Sequence, residues 1–304
     1  MENRNVVDAF STIDNRRVII FLSLAFGIAW LSALIVFLTG GLTNSSEILP
    51  GLPVAKVLIP IPYLWAPAIA AILTRWLTHE GWKDLGLHVH LGKSWRYWLM
   101  GWLLPAVLTV AGAVVFFLIF PIYFDTSLTT FRQDILATTN SVPSWSEALI
   151  AAVIGIAITP ITYGLSVLGE VYGWLGYLFP RLMPAGWRRA VVFLGLIWGI
   201  WYLPLIFMGD QYGSTYEGFP WLGALVFLWI MLCNSVFFAW LTLRAHSVWP
   251  AILGRAAING TAALSILALI GNPNPLVGPY SIGILGSVGY AVVAIILFLS
   301  PEKP

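Results

Sequence analysis

Eight long apolar runs constrain this chain more than any other feature of its sequence. Each run is close to the ~20 residues that an α-helix needs to span a bilayer. Charged residues make up only 9% of the 304 residues, against roughly 25% in a soluble domain. The sequence therefore predicts an all-α integral membrane protein, a single polytopic domain over residues 1–304 with about eight transmembrane helices. The predicted spans are 18–39, 57–78, 97–120, 148–170, 190–208, 221–243, 248–270 and 280–299.

The basic residues are distributed unevenly between the two sides of the membrane, and this bias predicts the orientation. With the N-terminus in the cytoplasm, twelve basic residues fall in cytoplasmic segments and only Lys56 and Arg132 fall outside. We therefore predict a multi-pass protein with both termini in the cytoplasm, in the plasma membrane if the source is prokaryotic. The net charge of +2 gives no indication of nucleic-acid binding. The cytoplasmic basic residues are Arg4, Arg16, Arg17, Arg75, Lys83, Lys93, Arg96, Arg181, Arg188, Arg189, Arg244 and Lys303.

Apart from Arg75 at the cytoplasmic end of the second span, two charged residues lie within predicted spans, Glu170 in the fourth and Arg255 in the seventh. A charge at the bilayer centre costs about 2.5–3.5 kcal/mol on insertion scales, so such residues mark candidate functional sites. The alternative is a structural ion pair that locks the two helices together.

The depth of neighbouring polar residues favours a site. Counted from the cytoplasmic helix ends, Glu170, Tyr202 and Asn259 all lie about 16–18 Å into the membrane, with Arg255 one turn shallower. Arg255 and Asn259 are four residues apart and share a helix face, as do Trp198 and Tyr202. These residues predict an intramembrane pocket that opens towards the cytoplasm.

Three motifs at these positions resemble those of a known family. They are "GEVYGWLGYLFPRL" from Gly169, "WGIWYLP" from Trp198 and "PAILGRAAIN" from Pro250. The chain resembles the CPBP intramembrane endopeptidases, which include the CAAX prenyl endopeptidase of the Ras-converting type and bacterial bacteriocin-processing or self-immunity proteins. The resemblance extends over a core of about residues 84–262.

The resemblance implies a role for each motif position. In the family, a glutamate and a histidine activate water, a second histidine and an asparagine hold the oxyanion, and a second glutamate and an arginine support the site. Glu170 and Asn259 match their family positions. Both histidines, the second glutamate and the arginine are replaced. The replacing residues are Tyr202, Arg255, Val171 and Leu175.

These replacements change the chemistry that the site can perform. Tyrosine, with a pKa near 10, is a poor base at neutral pH. Arg255 could stabilise an oxyanion, but beside Glu170 it would also weaken the carboxylate as a base. The pocket offers one carboxylate, so no metal and no other cofactor is expected. Tyr172, Trp174 and Trp198 are predicted to bind substrate.

Two function classes follow from this pattern. The first is a pseudoprotease that uses the pocket to bind a peptide, a lipid tail, or a prenylated or membrane-protein partner without cutting it. The second is an active endopeptidase with a rebuilt site, in which Glu170 activates water while Arg255, Asn259 and Tyr202 hold the oxyanion. A transporter is a further alternative, but the spans other than the fourth and seventh supply no charge at the membrane centre.

Overall fold

A computed structural model describes residues 14–82, 85–89, 91–129, 132–133 and 144–300. Within these residues the structure is helical, apart from one short antiparallel hairpin of β1 (Glu47–Leu49) and β2 (Leu52–Pro53). Both predicted cytoplasmic termini lie outside the described residues, so their location stays a prediction.

The described helices are numbered in chain order. They are α1 (Asn15–Leu38), α2 (Gly41–Asn44), α3 (Val54–Leu58), α4 (Leu64–Leu77), α5 (Leu91–Ile119), α6 (Trp145–Ala157), α7 (Thr159–Val171), α8 (Phe179–Leu182), α9 (Trp187–Trp201), α10 (Leu203–Phe207), α11 (Trp221–Ala245), α12 (Trp249–Thr261) and α13 (Val288–Leu299). Wider π-helical turns join α3 to α4 at Ile59–Tyr63 and α7 to α8 at Tyr172–Leu178. Single 3₁₀ turns lie at Pro121–Tyr123, Met183–Ala185 and Ala262–Ser265.

Six helical segments of the described chain are long and apolar enough to cross a membrane, which confirms the prediction of an all-α, multi-pass membrane protein. The two remaining predicted spans contain the shorter helices α12, with 13 residues, and α13, with 12. The count of eight therefore stays a prediction. The six segments are Asn15–Leu38, Val54–Leu77, Ser94–Ile119, Trp145–Ala185, Trp187–Phe207 and Trp221–Ala245.

Helix α12 lies at the centre of the packing, against both α5 and α7. Lipid tails are as apolar as leucine, so helices in a membrane associate through close packing and polar contacts rather than through a hydrophobic driving force. Gly101 of α5 illustrates this, because a Cβ at that position would lie 2.2 Å from the carbonyl oxygen of Pro250. The absent side chain lets α5 approach the start of α12 and fixes where α12 stands.

The segment Trp145–Ala185 is the longest of the six, with 41 residues, and bends at Ile158, where α6 ends and α7 begins. Pro160 follows the bend and cannot donate a backbone hydrogen bond. Before Glu170 this segment exposes a series of apolar side chains, as expected for a surface that contacts lipid. They include Leu149, Ile150, Val153, Ile154, Ile161 and Leu165.

Candidate functional site

Glu170 lies in the last turn of α7 and is fully buried. Its helix can approach α4 closely because glycines flank the carboxylate. A Cβ at Gly173 would lie 2.2 Å from the Cβ of Pro67, and a Cβ at Gly169 would lie 2.7 Å from the Cα of Trp65. The sequence therefore places a charged side chain at a tight helix contact.

Two side chains of α9 donate hydrogen bonds to one oxygen of this carboxylate. Trp198 Nε1 donates to Glu170 Oε1 over 2.7 Å, and the Tyr202 hydroxyl donates to the same atom over 2.9 Å. Trp198 and Tyr202 lie on the same face of α9 because residues four apart on a helix are neighbours. Position 202, where the family pattern has a histidine, thus supplies a hydrogen-bond donor to the glutamate.

Helix α12 supplies the cation and the amide of the same network. Arg255 Nε lies 3.7 Å from Glu170 Oε1, and Arg255 Nη2 donates to the Tyr202 hydroxyl over 3.1 Å. Arg255 Nη1 donates to Asn259 Oδ1, also over 3.1 Å. The structure thus connects Glu170, Tyr202, Arg255 and Asn259 in a single network of contacts.

The two oxygens of Glu170 have different environments. Oε1 receives both hydrogen bonds and the contact with the guanidinium, whereas Oε2 is buried and accepts no hydrogen bond from the described residues. Arg255 and the two donors therefore all contact the same oxygen of the carboxylate. A single carboxylate with a cation 3.7 Å away is also a poor set of ligands for a metal ion.

Of the three aromatic residues predicted to bind substrate, only Trp198 contacts this network. Trp174 is fully buried in the helix core, where its ring makes edge contacts with Phe21 and Trp201, each with centroids 5.7 Å apart. Tyr172 is also buried and packs against Gly176. Neither of these two residues lines the cavity beside Arg255, and their role in binding stays a prediction.

A cavity of about 130 Å³ adjoins Arg255 and Asn259. Its lining also includes Gln211, which lies between the fifth and sixth predicted spans, and residues 280–282, at the start of the eighth. The side of the membrane towards which the pocket opens stays a prediction. The lining residues are Gln211, Phe227, Ile230, Met231, Asn234, Arg255, Ile258, Asn259, Ala262, Tyr280, Ser281, Ile282 and Tyr290.

Sequence reasoning also missed two polar residues that line this cavity, Asn234 and Ser281. Asn234 lies halfway along α11 with 4% of its surface exposed, and Ser281 is 6% exposed. An amide in the middle of an apolar span is itself a signal, because polar side chains at that depth are costly and rare. That signal would have identified Asn234.

A second ionic cluster, centred on Glu80, lies beyond the end of the helix that carries Glu170. Arg181 forms a salt bridge with Glu80, and its guanidinium lies 3.5 Å from the centre of the Tyr177 ring. Arg75 Nη1 and Arg17 Nε lie 3.6 Å and 3.9 Å from the Glu80 carboxylate. These contacts tie the end of α7 and its π-helical turn to α1 and α4.

Residues 156–261 match the family model described as Rce1-like, type II CAAX prenyl endopeptidase Rce1-like. The matched range contains every residue of the network around Glu170, together with Asn234. Comparison with curated proteins gives no match to the chain. The predicted start of the core, near residue 84, lies before the matched range and stays a prediction.

Proposed function

Over residues 156–261 the chain belongs to the CPBP family, as its motifs predicted, and we propose that it keeps the family's intramembrane pocket for binding and does not cut peptides. In this proposal the protein is a pseudoprotease. Its ligand is a peptide, a lipid tail, or a prenylated or membrane-protein partner that enters the bundle.

The observation that carries this proposal is the set of partners of Glu170 Oε1. A general base must be ready to accept a proton from water near the working pH. Here the carboxylate oxygen is already occupied by Trp198 and Tyr202, and Arg255 lies 3.7 Å away. With three side chains directed at this oxygen, it is not free to contact and deprotonate a water molecule. Tyr202 and Arg255 cannot share that proton as a histidine would.

One observation favours the second candidate, an active endopeptidase. Glu170 Oε2 is buried without a hydrogen-bond partner among the described residues, so it could accept a hydrogen bond from a water molecule. In that reading Glu170 activates this water, and Arg255, Asn259 and Tyr202 hold the oxyanion.

The experiment that separates the two is a cleavage assay on purified protein in detergent, with a farnesylated CAAX-type peptide as substrate. An active endopeptidase of the family in the same detergent serves as the positive control. We expect no turnover above background for the wild-type chain. The matched control is Glu47→Gln, at an exposed residue of β1. Turnover that disappears in Glu170→Gln but persists in this control would refute the pseudoprotease and establish the endopeptidase.

A further inference from the structure

The cavity beside Arg255 contains polar side chains that the fold itself does not use. Asn234 and Ser281 are both more than nine-tenths buried, line the cavity, and make no side-chain hydrogen bond to the described residues. Because the fold uses neither side chain as a hydrogen-bond partner, the amide of Asn234 and the hydroxyl of Ser281 are both available to a polar molecule in the cavity.

The charged group at the cavity wall is a cation. Arg255 has five N–H donors; two of them are used by Tyr202 and Asn259, and the residue still reaches the cavity. Since Asn259 accepts from Arg255 through Oδ1, its NH₂ group is left to donate, and Asn259 is exposed. The groups around the cavity are thus dominated by donors.

No acidic residue lines the cavity within the described part of the chain. Glu170 lies on the other side of the Arg255 guanidinium and is turned towards Trp198 and Tyr202. Asp210 neighbours the lining residue Gln211 and accepts a hydrogen bond from its Nε2 over 2.7 Å. Burial raises the pKa of Asp210, although Gln211 and Arg255 both act to lower it. Charge and donors together therefore select an anionic group.

Size and charge narrow the ligand further. A cavity of about 130 Å³ accommodates a small group and not a folded peptide segment. Because Glu170 already offsets the charge of Arg255, a monoanion is better matched to the site than a dianionic phosphate. A planar guanidinium with adjacent amide donors also suits a carboxylate.

We propose that this cavity is a carboxylate-binding site, in which Arg255, Asn259, Asn234 and Ser281 donate to one carboxylate group that enters from the side of residues 208–220. The group belongs either to a small free carboxylic acid or to the C-terminus of a peptide. The inference rests on the proposed function, because it treats the pocket as a binding site, and it names the chemical class of the ligand.

The test is a titration of the purified full-length protein with acetate, followed by saturation-transfer NMR, which detects weak ligands. With four heavy atoms, acetate has a ceiling on binding free energy that corresponds to a Kd no tighter than roughly 40 μM, so weak binding is expected. We expect saturable binding of acetate and none of acetamide, its neutral analogue. Inorganic phosphate and N-acetylalanine, a mimic of a peptide C-terminus, are titrated in parallel.

Two variants assign the binding to this cavity. Asn234→Leu and Ser281→Ala should each weaken acetate binding about tenfold, the loss expected for one hydrogen bond to a charged group. The thermal stability of Asn234→Leu should be unchanged or higher, because the amide has no partner in the fold. Ser235→Ala, on the same helix but bonded to backbone carbonyls, should bind acetate like the wild type.

Each outcome decides the proposal. Binding of acetate lost in Asn234→Leu supports it, and tighter binding of N-acetylalanine than of acetate assigns the carboxylate to a peptide C-terminus. Equal binding of acetamide, tighter binding of phosphate, or no effect of either variant would overturn it. Peptide cleavage together with acetate binding would refute only the pseudoprotease, whereas absence of both would refute only the carboxylate site.

Discussion

Breaking the ion pair between Glu170 and Arg255 should lower the stability of the protein more than breaking an exposed ion pair does. Both charges are taken out of water, and their closest atoms are 3.7 Å apart. Two unit charges at that distance attract by about 4 kcal/mol at an effective dielectric constant of about 20. Removing one partner of a buried pair leaves the other unpaired and typically costs about 3–5 kcal/mol.

We expect Glu170→Gln and Arg255→Met each to lower the free energy of unfolding by about 3 kcal/mol, at the lower end of that range. The reason for the lower figure is that the surviving charge keeps some partners. Without Arg255, the carboxylate still accepts hydrogen bonds from Trp198 and Tyr202. The double variant should recover most of the loss, because replacing both charges removes the need to pair either one.

Thermal unfolding in detergent measures this with a thiol-reactive dye, since the single cysteine, Cys233, is buried and reacts once the bundle opens. The exposed pair of Asp14 and Arg17, with closest atoms 3.2 Å apart, provides the matched control. Asp14→Asn, which leaves the contact of Arg17 with Glu80 in place, should change stability by about 1 kcal/mol or less, as the loss of an exposed ion pair does. If the losses for Glu170 and Arg255 simply add in the double variant, the two charges do not interact and the reasoning is refuted.

Three further predictions follow from other parts of the chain. A tag at residue 214 should be accessible from outside the cell and a tag at residue 185 from the cytoplasm; labelling of 185 from outside would contradict the orientation. Gly173→Ala should destabilise the protein severely, because its Cβ would lie 2.2 Å from a proline of α4, whereas Gly27→Ala, with nothing within 4 Å, should be tolerated in the same thermal assay. Asp210→Asn should raise the melting temperature at neutral pH, because burial raises the pKa of this carboxyl in the folded state and ionisation therefore opposes folding. That gain should vanish as the pH falls below the ordinary pKa of an aspartate, and a gain that persists in acid would show that ionisation is not its cause.

The polar network could be predicted from the sequence because charged and polar residues stand out in apolar runs. Glu170 and Arg255 are charges in apolar runs, and spacing by four residues places Asn259 on the face of Arg255. The structure brings these residues together with Tyr202 as the counting of depth implied. Their roles, however, depend on ligands and reactions that spacing does not specify.

The set of residues that line the cavity could not be predicted in the same way. Depth along each helix says how far a residue lies from a membrane surface, but not which side of it is packed and which is empty. That is decided by the loop residues Gln211 and Ser281, which are distant from Arg255 in sequence and carry no periodic signal. The burial of Trp174 in the helix core could not be predicted for a similar reason. Its contacts with Phe21 and Trp201 are made between residues that are far apart along the chain.

The length of the segment Trp145–Ala185, 41 residues, has a consequence for how the protein responds to the thickness of the bilayer. Its two α-helices, α6 and α7, have 13 residues each and together extend about 40 Å at 1.5 Å per residue, more than the ~30 Å hydrocarbon thickness of a bilayer. A helix longer than the bilayer is thick accommodates the mismatch by tilting or kinking. Because Glu170 lies in α7, after the interruption at Ile158, we expect the length of the lipid chains to affect the position of the site.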